Sequence, residues 1–209
     1  MLDLYFIRHA ESEGNLEYAQ RVGGRSNHVP LSDKGRTQAS LLGLRLSITR
    51  PPDHIWSSPA LRCVQTAEIA CRRAEIPLER ILYSDDLQEL SQGEWEGKSR
   101  EEMYTPEILA QINSNPWGFK APGGESQREV EERMYGWIQQ TYGQSMLFEK
   151  EPDLKAAIFT HGMAIKCLTR KILNYPPNQT YHTVLYNTSI TRFQYEQGIW
   201  RLVSFNDSG

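Results

Sequence analysis

Several things are missing from this 209-residue chain, and each absence excludes something. No apolar run approaches the roughly 18 residues of a membrane span, and the N-terminus lacks a basic region followed by a long apolar core. Neither a signal peptide nor a membrane segment is expected, so the chain reads as cytoplasmic. Basic runs and tails are missing too: 23 Lys+Arg stand against 26 Asp+Glu, a formal net charge of -3. That balance argues against a nucleic-acid binder, which needs many phosphate contacts. Cysteine is sparse. Cys63, Cys71 and Cys167 are odd in number, never in a CxxC pair, and fall in stretches read as helices, so they are expected to be buried thiols. No His/Cys cluster has zinc spacing, and no metal site is expected. There is no internal repeat. The sequons Asn178-Gln179-Thr180 and Asn187-Thr188-Ser189 read as coincidence without a secretory signal.

What is present starts with Leu2 to Asn15, LDLYFIRHAESEGN, a short apolar run that breaks at Arg8-His9 into a small polar segment. A continuous apolar run is the pattern of a strand buried on both faces, and ligands of open α/β sheets sit beyond the carboxyl ends of such strands. After a polar loop over Leu16 to Val29, Ser32 reads as the N-cap of a helix to about Ile48, with Ala39, Leu42 and Leu46 inward. A strand over His54 to Ser58 follows, and Ser58-Pro59 reads as a second helix start whose inner face is Leu61, Val64, Ala67 and Cys71. Arg80 to Tyr83 is a third strand.

The stretch from Ser91 to Glu125 is irregular and reads as a lid over the strand ends, too short and polar to hold a core of its own. Within it Ser99 and Glu102 suggest a capping box, and Pro106 interrupts or restarts a helix. Ser126 with Glu129 caps a longer helix through about Tyr142, with Val130, Met134, Trp137 and Ile138 inward. Lys155 to Thr160 is a fourth strand, and His161-Gly162 opens a helix over Met163 to Leu173. Val184 to Tyr195 and Gly198 to Phe205 are β-rich, with a hairpin turn at Glu196-Gln197-Gly198. This alternation predicts an α/β fold with a mostly parallel, doubly wound sheet in one domain spanning residues 1–209.

Such a sheet brings Arg8, His9, Arg62 and His161 to one crevice. Guanidinium forks and imidazoles beside a helix N-terminus describe a phosphate site. RHAESEGN, PLSDKG, SSPALRCVQTA, ELSQGEWEG, PGGES and THGMAI, in that order, also resemble the larger branch of the histidine phosphatase superfamily, the phosphoglycerate-mutase-like enzymes. The resemblance runs from Leu4 to about Ser189 and implies a three-layer α/β/α sandwich. It implies His9 as the nucleophile, Arg8, Arg62 and Asn15 as phosphate ligands, and His161 with Gly162 as further phosphate-binding groups. Glu89 falls on the proton donor, in a pocket that Trp95 and turns at Gly93 and Gly97 would partly desolvate. No cofactor is implied.

Two positions depart from the family pattern: Ala10 follows the nucleophile where Gly is common, and His28 stands where many relatives carry an acid. His28, His54 and His182 receive no role. Mutases of the family carry an adjacent arginine pair between the acid and the second histidine; this chain has none there, and Lys98, Arg100, Lys120, Arg128 and Arg133 are scattered. The expectation is therefore metal-independent hydrolysis of a small phosphomonoester through a phosphohistidine. A phosphoglycerate-mutase-type isomerase is the runner-up, and a non-catalytic phosphate-binding regulator a third reading. The sequence does not indicate an oligomeric state.

Overall fold

The computed structural model describes residues 1–17, 20–147 and 153–209, with the backbone alone for 144–147; positions 18 and 19 of the expected Leu16 to Val29 loop lie outside the described residues. The strands are β1 (Leu2–Arg8), β2 (His54–Ser57), β3 (Ile81–Tyr83), β4 (Leu154–Thr160), β5 (Ile190–Glu196) and β6 (Ile199–Asp207). The helices are α1 (Glu13–Leu16), α2 (Asp33–Ser47), α3 (Leu61–Arg73), α4 (Arg100–Met103), α5 (Pro106–Ser114), α6 (Gln127–Leu147), α7 (Gly162–Leu173) and α8 (Gln179–His182). One sheet forms in the order β3-β2-β4-β1-β5-β6. Its β1–β4, β4–β2 and β2–β3 pairs are parallel; β5 is antiparallel to both β1 and β6.

The apolar character of β1 follows from its central place. Leu4 and Phe6 point into a core with Met134 and Ile138 of α6 and Leu168 of α7, while Ile7 points into a second core with Leu42 of α2 and Ala67 of α3. Two helical layers thus cover the sheet, and each fully buried Leu, Ile or Phe contributes about 1.5–3 kcal/mol through its removal from water. Phe6 meets Phe193 of β5 edge-on at 6.1 Å. The parallel register also positions the site. β1 and β4 pair from Leu2↔Leu154 to Arg8↔Thr160, so the residues just beyond, His9 and His161, leave the sheet side by side.

Two helix caps match the sequence reading. Ser32 accepts a hydrogen bond from Gly35 N at 3.0 Å. Ser126 and Glu129 form a reciprocal box, Ser126 N donating to Glu129 at 2.8 Å and Glu129 N to Ser126 Oγ at 3.2 Å. Pro106 restarts a helix as its first residue, behind Thr105, which accepts from Ile108 N. The three cysteines are free and buried. Among the described residues no helix is long and apolar enough to cross a membrane.

Four local readings are corrected. Helix α3 begins at Leu61, not at Ser58-Pro59, because Ser58 Oγ is engaged with His161 and the backbone turns only at Ala60. On that helix Leu61 and Val64 are half-buried, whereas Arg62, Cys63, Thr66 and Ala70 are buried with Ala67 and Cys71. Ser99 precedes α4, but its side chain makes no capping bond. Residues 184–189 are irregular, and β5 starts only at Ile190. The 91–125 segment also holds a small cluster, Trp95 and Ala121 with Val22, against which Tyr104 and Phe119 pack. The hairpin turn is the two-residue Gln197-Gly198, with φ of 50° and 79°, the left-handed pair that matches strand twist.

Candidate active site

The end of β1 carries Arg8 and His9 into a pocket of about 890 Å³ at the carboxyl edge of the sheet. His9 is 4 % exposed and anchored on both sides: its N–H donates to Thr160 O at 2.9 Å, and its carbonyl accepts from Asn187 Nδ2 at 2.9 Å. Its Nδ1 lies 2.7 Å from Ala10 O. A carbonyl only accepts, so Nδ1 carries the hydrogen and Nε2 keeps its lone pair. Burial first, then the Arg62 and Arg8 charges, hold His9 well below the usual histidine value, so the ring is neutral at neutral pH.

Arg62 is the second residue of α3, not one turn in as its sequence position suggests, and it is 5 % exposed. Its guanidinium donates to the carbonyls of Arg25 at 2.9 Å, Ser26 at 3.0 Å and Gly24 at 3.2 Å, and to His161 Nδ1 at 3.1 Å. The 24–26 strap is gripped from its other side by Glu96, which accepts from the backbone N–H groups of Arg25 and Ser26, each at 3.0 Å.

Both ring nitrogens of His161 are engaged. Arginine can only donate, so His161 Nδ1 is an acceptor and its Nε2–H points to Ser58 Oγ at 2.9 Å. Burial first, then the Arg62 charge, hold His161 well below the usual histidine value, so this ring too is neutral at neutral pH. It lies behind Arg62, edge-on to His9 with centroids 5.3 Å apart. Cys63 sits beside it, but burial pushes the thiol up to about 12, which leaves it protonated and a poor nucleophile.

Glu89 lines the same pocket. Its carboxylate accepts from Leu90 N at 2.9 Å and, at the start of α7, from Ala164 N at 3.0 Å and Met163 N at 3.1 Å. A helix N-terminus, not an aromatic wall, holds it, since Trp95 packs on Tyr104 and Phe119. The Gly93 turn does matter: at φ 51° it lies so close to Pro122 O that a Cβ would be 2.2 Å away. Asn15 lines the pocket, its Oδ1 accepting from Ser12 N at 3.0 Å. Gly162 opens α7 beside Arg8, where a Cβ would meet Arg8 Nε at 3.4 Å, an ordinary contact. His28 lines the same pocket; His54 is structural, stacked on Tyr142 at 5.8 Å.

Sequence reasoning missed Asn187, Ser58, Glu96 and the Glu125–Arg133 pair. Arg133 grips Glu125 with two 3.1 Å contacts and donates to Gln88 O at 3.1 Å, while Glu125 also accepts from Ser91 N at 3.1 Å, which brackets Glu89 on both chain sides. Arg25 of the strap reaches Glu125 at 3.1 Å. Glu125 lies within the PGGES motif, but its partners come from distant segments and leave no local pattern.

A buried neutral imidazole at a strand end, beside two arginines and the start of a helix, defines an α/β protein with an oxyanion pocket. The model of the histidine phosphatase superfamily, branch 1, matches residues 4–208, and the chain belongs to that family. Over 205 residues, covering 96% of this chain and 88% of the relative, it is 33% identical to the probable phosphoglycerate mutase GpmB of Cronobacter sakazakii. Among solved structures it is similar to YhfR of Bacillus stearothermophilus (27% identity, TM-score 0.82, covering 99% of this chain and 98% of that one). It also resembles the phosphoserine phosphatase of Entamoeba histolytica, solved in complex with 3-phosphoglyceric acid (25% identity, TM-score 0.80, covering 99% and 98%).

Proposed function

We propose that this protein hydrolyses a small phosphomonoester through a phosphohistidine on His9. The observation that carries this reading is the state of His9: buried, neutral, its Nδ1–H held by Ala10 O and its Nε2 lone pair left for attack. Nε2 attacks phosphorus, the N–P bond forms and the P–O ester bond breaks. Glu89 gives a proton to the leaving alkoxide. The Glu89 carboxylate then takes a proton from water, whose oxygen attacks phosphorus; the N–P bond breaks, and phosphate leaves with His9 neutral again. Arg8, Arg62, Asn15 and the Gly162 end of α7 surround the transferring group, and most of the rate enhancement is assigned to this fixed positive environment. His161 acts by holding Arg62. The arginines supply the countercharge, so no divalent metal is needed, and a chelator is expected to leave turnover intact.

His9→Ala is expected to abolish turnover and, in rapid-quench experiments with 32P-labelled substrate, the acid-labile phosphoenzyme; a variant that still turns over rejects the mechanism. A second reading, isomerisation of phosphoglycerates, is favoured by the name of the 33% identical relative. Incubation with 2- or 3-phosphoglycerate separates the two: phosphate release supports hydrolysis, and isomer exchange without net release supports the mutase reading.

A further inference from the structure

Among the described residues three acids line the pocket, Glu17, Glu89 and Glu96. Glu89 carries the proton, Glu17 faces Arg21 at 3.6 Å, and Glu96 has no step in the reaction. Its carboxylate is turned to backbone: Oε1 accepts from Arg25 N and Gln92 N, and Oε2 from Ser26 N, each at 3.0 Å. The two strap amides belong to the same peptide groups whose carbonyls hold Arg62. In the 24–25 peptide, Gly24 O accepts from Arg62 Nη2 at 3.2 Å while Arg25 N donates to Glu96. In the 25–26 peptide, Arg25 O accepts from Arg62 Nη1 at 2.9 Å while Ser26 N donates to Glu96. Two peptide groups thus lie between a guanidinium and a carboxylate, each bonded at both ends. Opposite charges at the two ends polarise the peptides between them, and hydrogen bonds in such a chain strengthen one another.

We propose that Glu96 is a positioning residue for Arg62, paired with it through the two strap peptides, and that this pairing fixes the guanidinium against the transferring phosphoryl group. This rests on the hydrolytic reading above. Both ends of the relay stand on fixed chain. Arg62 is buried in the first turn of α3. Glu96 follows Trp95, which packs with Val22 and Ala121, and the backbone beyond it is bonded to the foot of the strap, Gly97 N to Val22 O and Val22 N to Lys98 O, each at 2.9 Å. Gly24 completes the fit, since at its φ of 146° a Cβ would lie 2.5 Å from Glu96 Oε1. Through Gln92 N the same carboxylate also holds the turn that follows Glu89, so the cradle of Arg62 and the acid loop share one anchor.

The test is a double-mutant cycle in the full chain, read as the inhibition constant of orthovanadate and as kcat/KM for 4-nitrophenyl phosphate, with the thermal midpoint measured for every variant. Glu96→Gln keeps the size of the side chain but accepts with one oxygen only. Gly24→Ala pushes an intact carboxylate off the strap. Each is expected to weaken orthovanadate binding and lower kcat/KM about ten- to a hundredfold. Arg62→Lys replaces the planar fork with one ammonium, and in that background either change is expected to cost no more than about twofold further. In an Arg8→Lys background, where Arg62 and its strap are intact, the full loss is expected. Losses that multiply fully in the Arg62→Lys background, or an orthovanadate constant unmoved in both single variants, overturn the assignment and leave hydrolysis standing. Glu96→Asp, which keeps the charge but draws it back by one methylene, replaces either variant that does not fold. If wild type turns over no phosphomonoester, it is the hydrolytic reading that fails, and the same cycle read as orthovanadate affinity by calorimetry still decides the role of Glu96.

Discussion

Glu89 is where one side chain is asked to do two jobs, and its surroundings make the roles separable. Both oxygens accept backbone N–H bonds, so an amide in its place would set an NH2 against Met163 N or Ala164 N. Glu89→Gln therefore loses the transferable proton and gains a donor–donor conflict, and its thermal midpoint needs measuring beside its rate. With alkyl phosphates, whose leaving alkoxide needs a proton, kcat/KM is expected to fall by about 10²–10⁴. With 4-nitrophenyl phosphate the leaving group departs unaided, so the first step survives and the second, which needs an activated water, does not. The expected signature is a burst of nitrophenol followed by slow turnover. Equal losses on both substrates with no burst would remove Glu89 from the chemistry and leave it a role in fixing the start of α7.

Helix α2 buttresses the nucleophile loop through one glycine. A Cβ on Gly35 would lie 1.9 Å from Glu11 O, so the first turn of the helix rests directly on the chain that follows His9. Gly35→Ala is expected to cost about 1–3 kcal/mol in chemical denaturation and to lower activity with it. Gly136→Ala in α6, where nothing lies within 4 Å, is expected to gain about 0.5–1 kcal/mol with activity unchanged. A neutral Gly35→Ala would deny this coupling. The same distinction between local and distant causes explains what is legible in the sequence. β1 and β4 show as apolar runs because both faces are buried, and the Ser32 and Ser126–Glu129 caps show because capping is a short-range bond. The start of α3 is misleading in sequence because Ser58 does bond, but to His161 across the sheet. The irregular 184–189 segment hides its purpose for the same reason: it delivers Leu185 O to Arg8 and Asn187 to the His9 carbonyl, contacts 177 and 178 residues apart. Arg8, His9, Arg62, Glu89 and His161 are legible as residues because their types and motif order are distinctive. The orientation of His161 and the strap on Arg62 are not, since both depend on packing between segments.

Taken as a whole, the molecule carries two neutral imidazoles beside fixed guanidiniums in its interior, and that arrangement ties stability to pH. His9 and His161 are held well below the usual histidine value, chiefly by burial and then by Arg62. Between the value of an unfolded histidine, about 6.5, and these depressed values, the unfolded chain binds protons that the folded chain refuses. Unfolding is thus favoured as pH falls through that window, and the folded state keeps its full stability only above it. Acidic groups with lowered values, such as Glu11 and Glu129, the latter near 2, add their own loss only at more acidic pH. The thermal midpoint is therefore expected to drop between pH 7.5 and pH 5.5, before the carboxylates titrate. Replacing His9 with Gln, which is neutral throughout and of similar volume, is expected to make that drop shallower, whatever the variant does to the midpoint at pH 7.5. A slope identical to wild type would mean that His9 takes up its proton alike in the folded and unfolded chain. That result would also remove the neutral, buried imidazole on which nucleophilic attack depends.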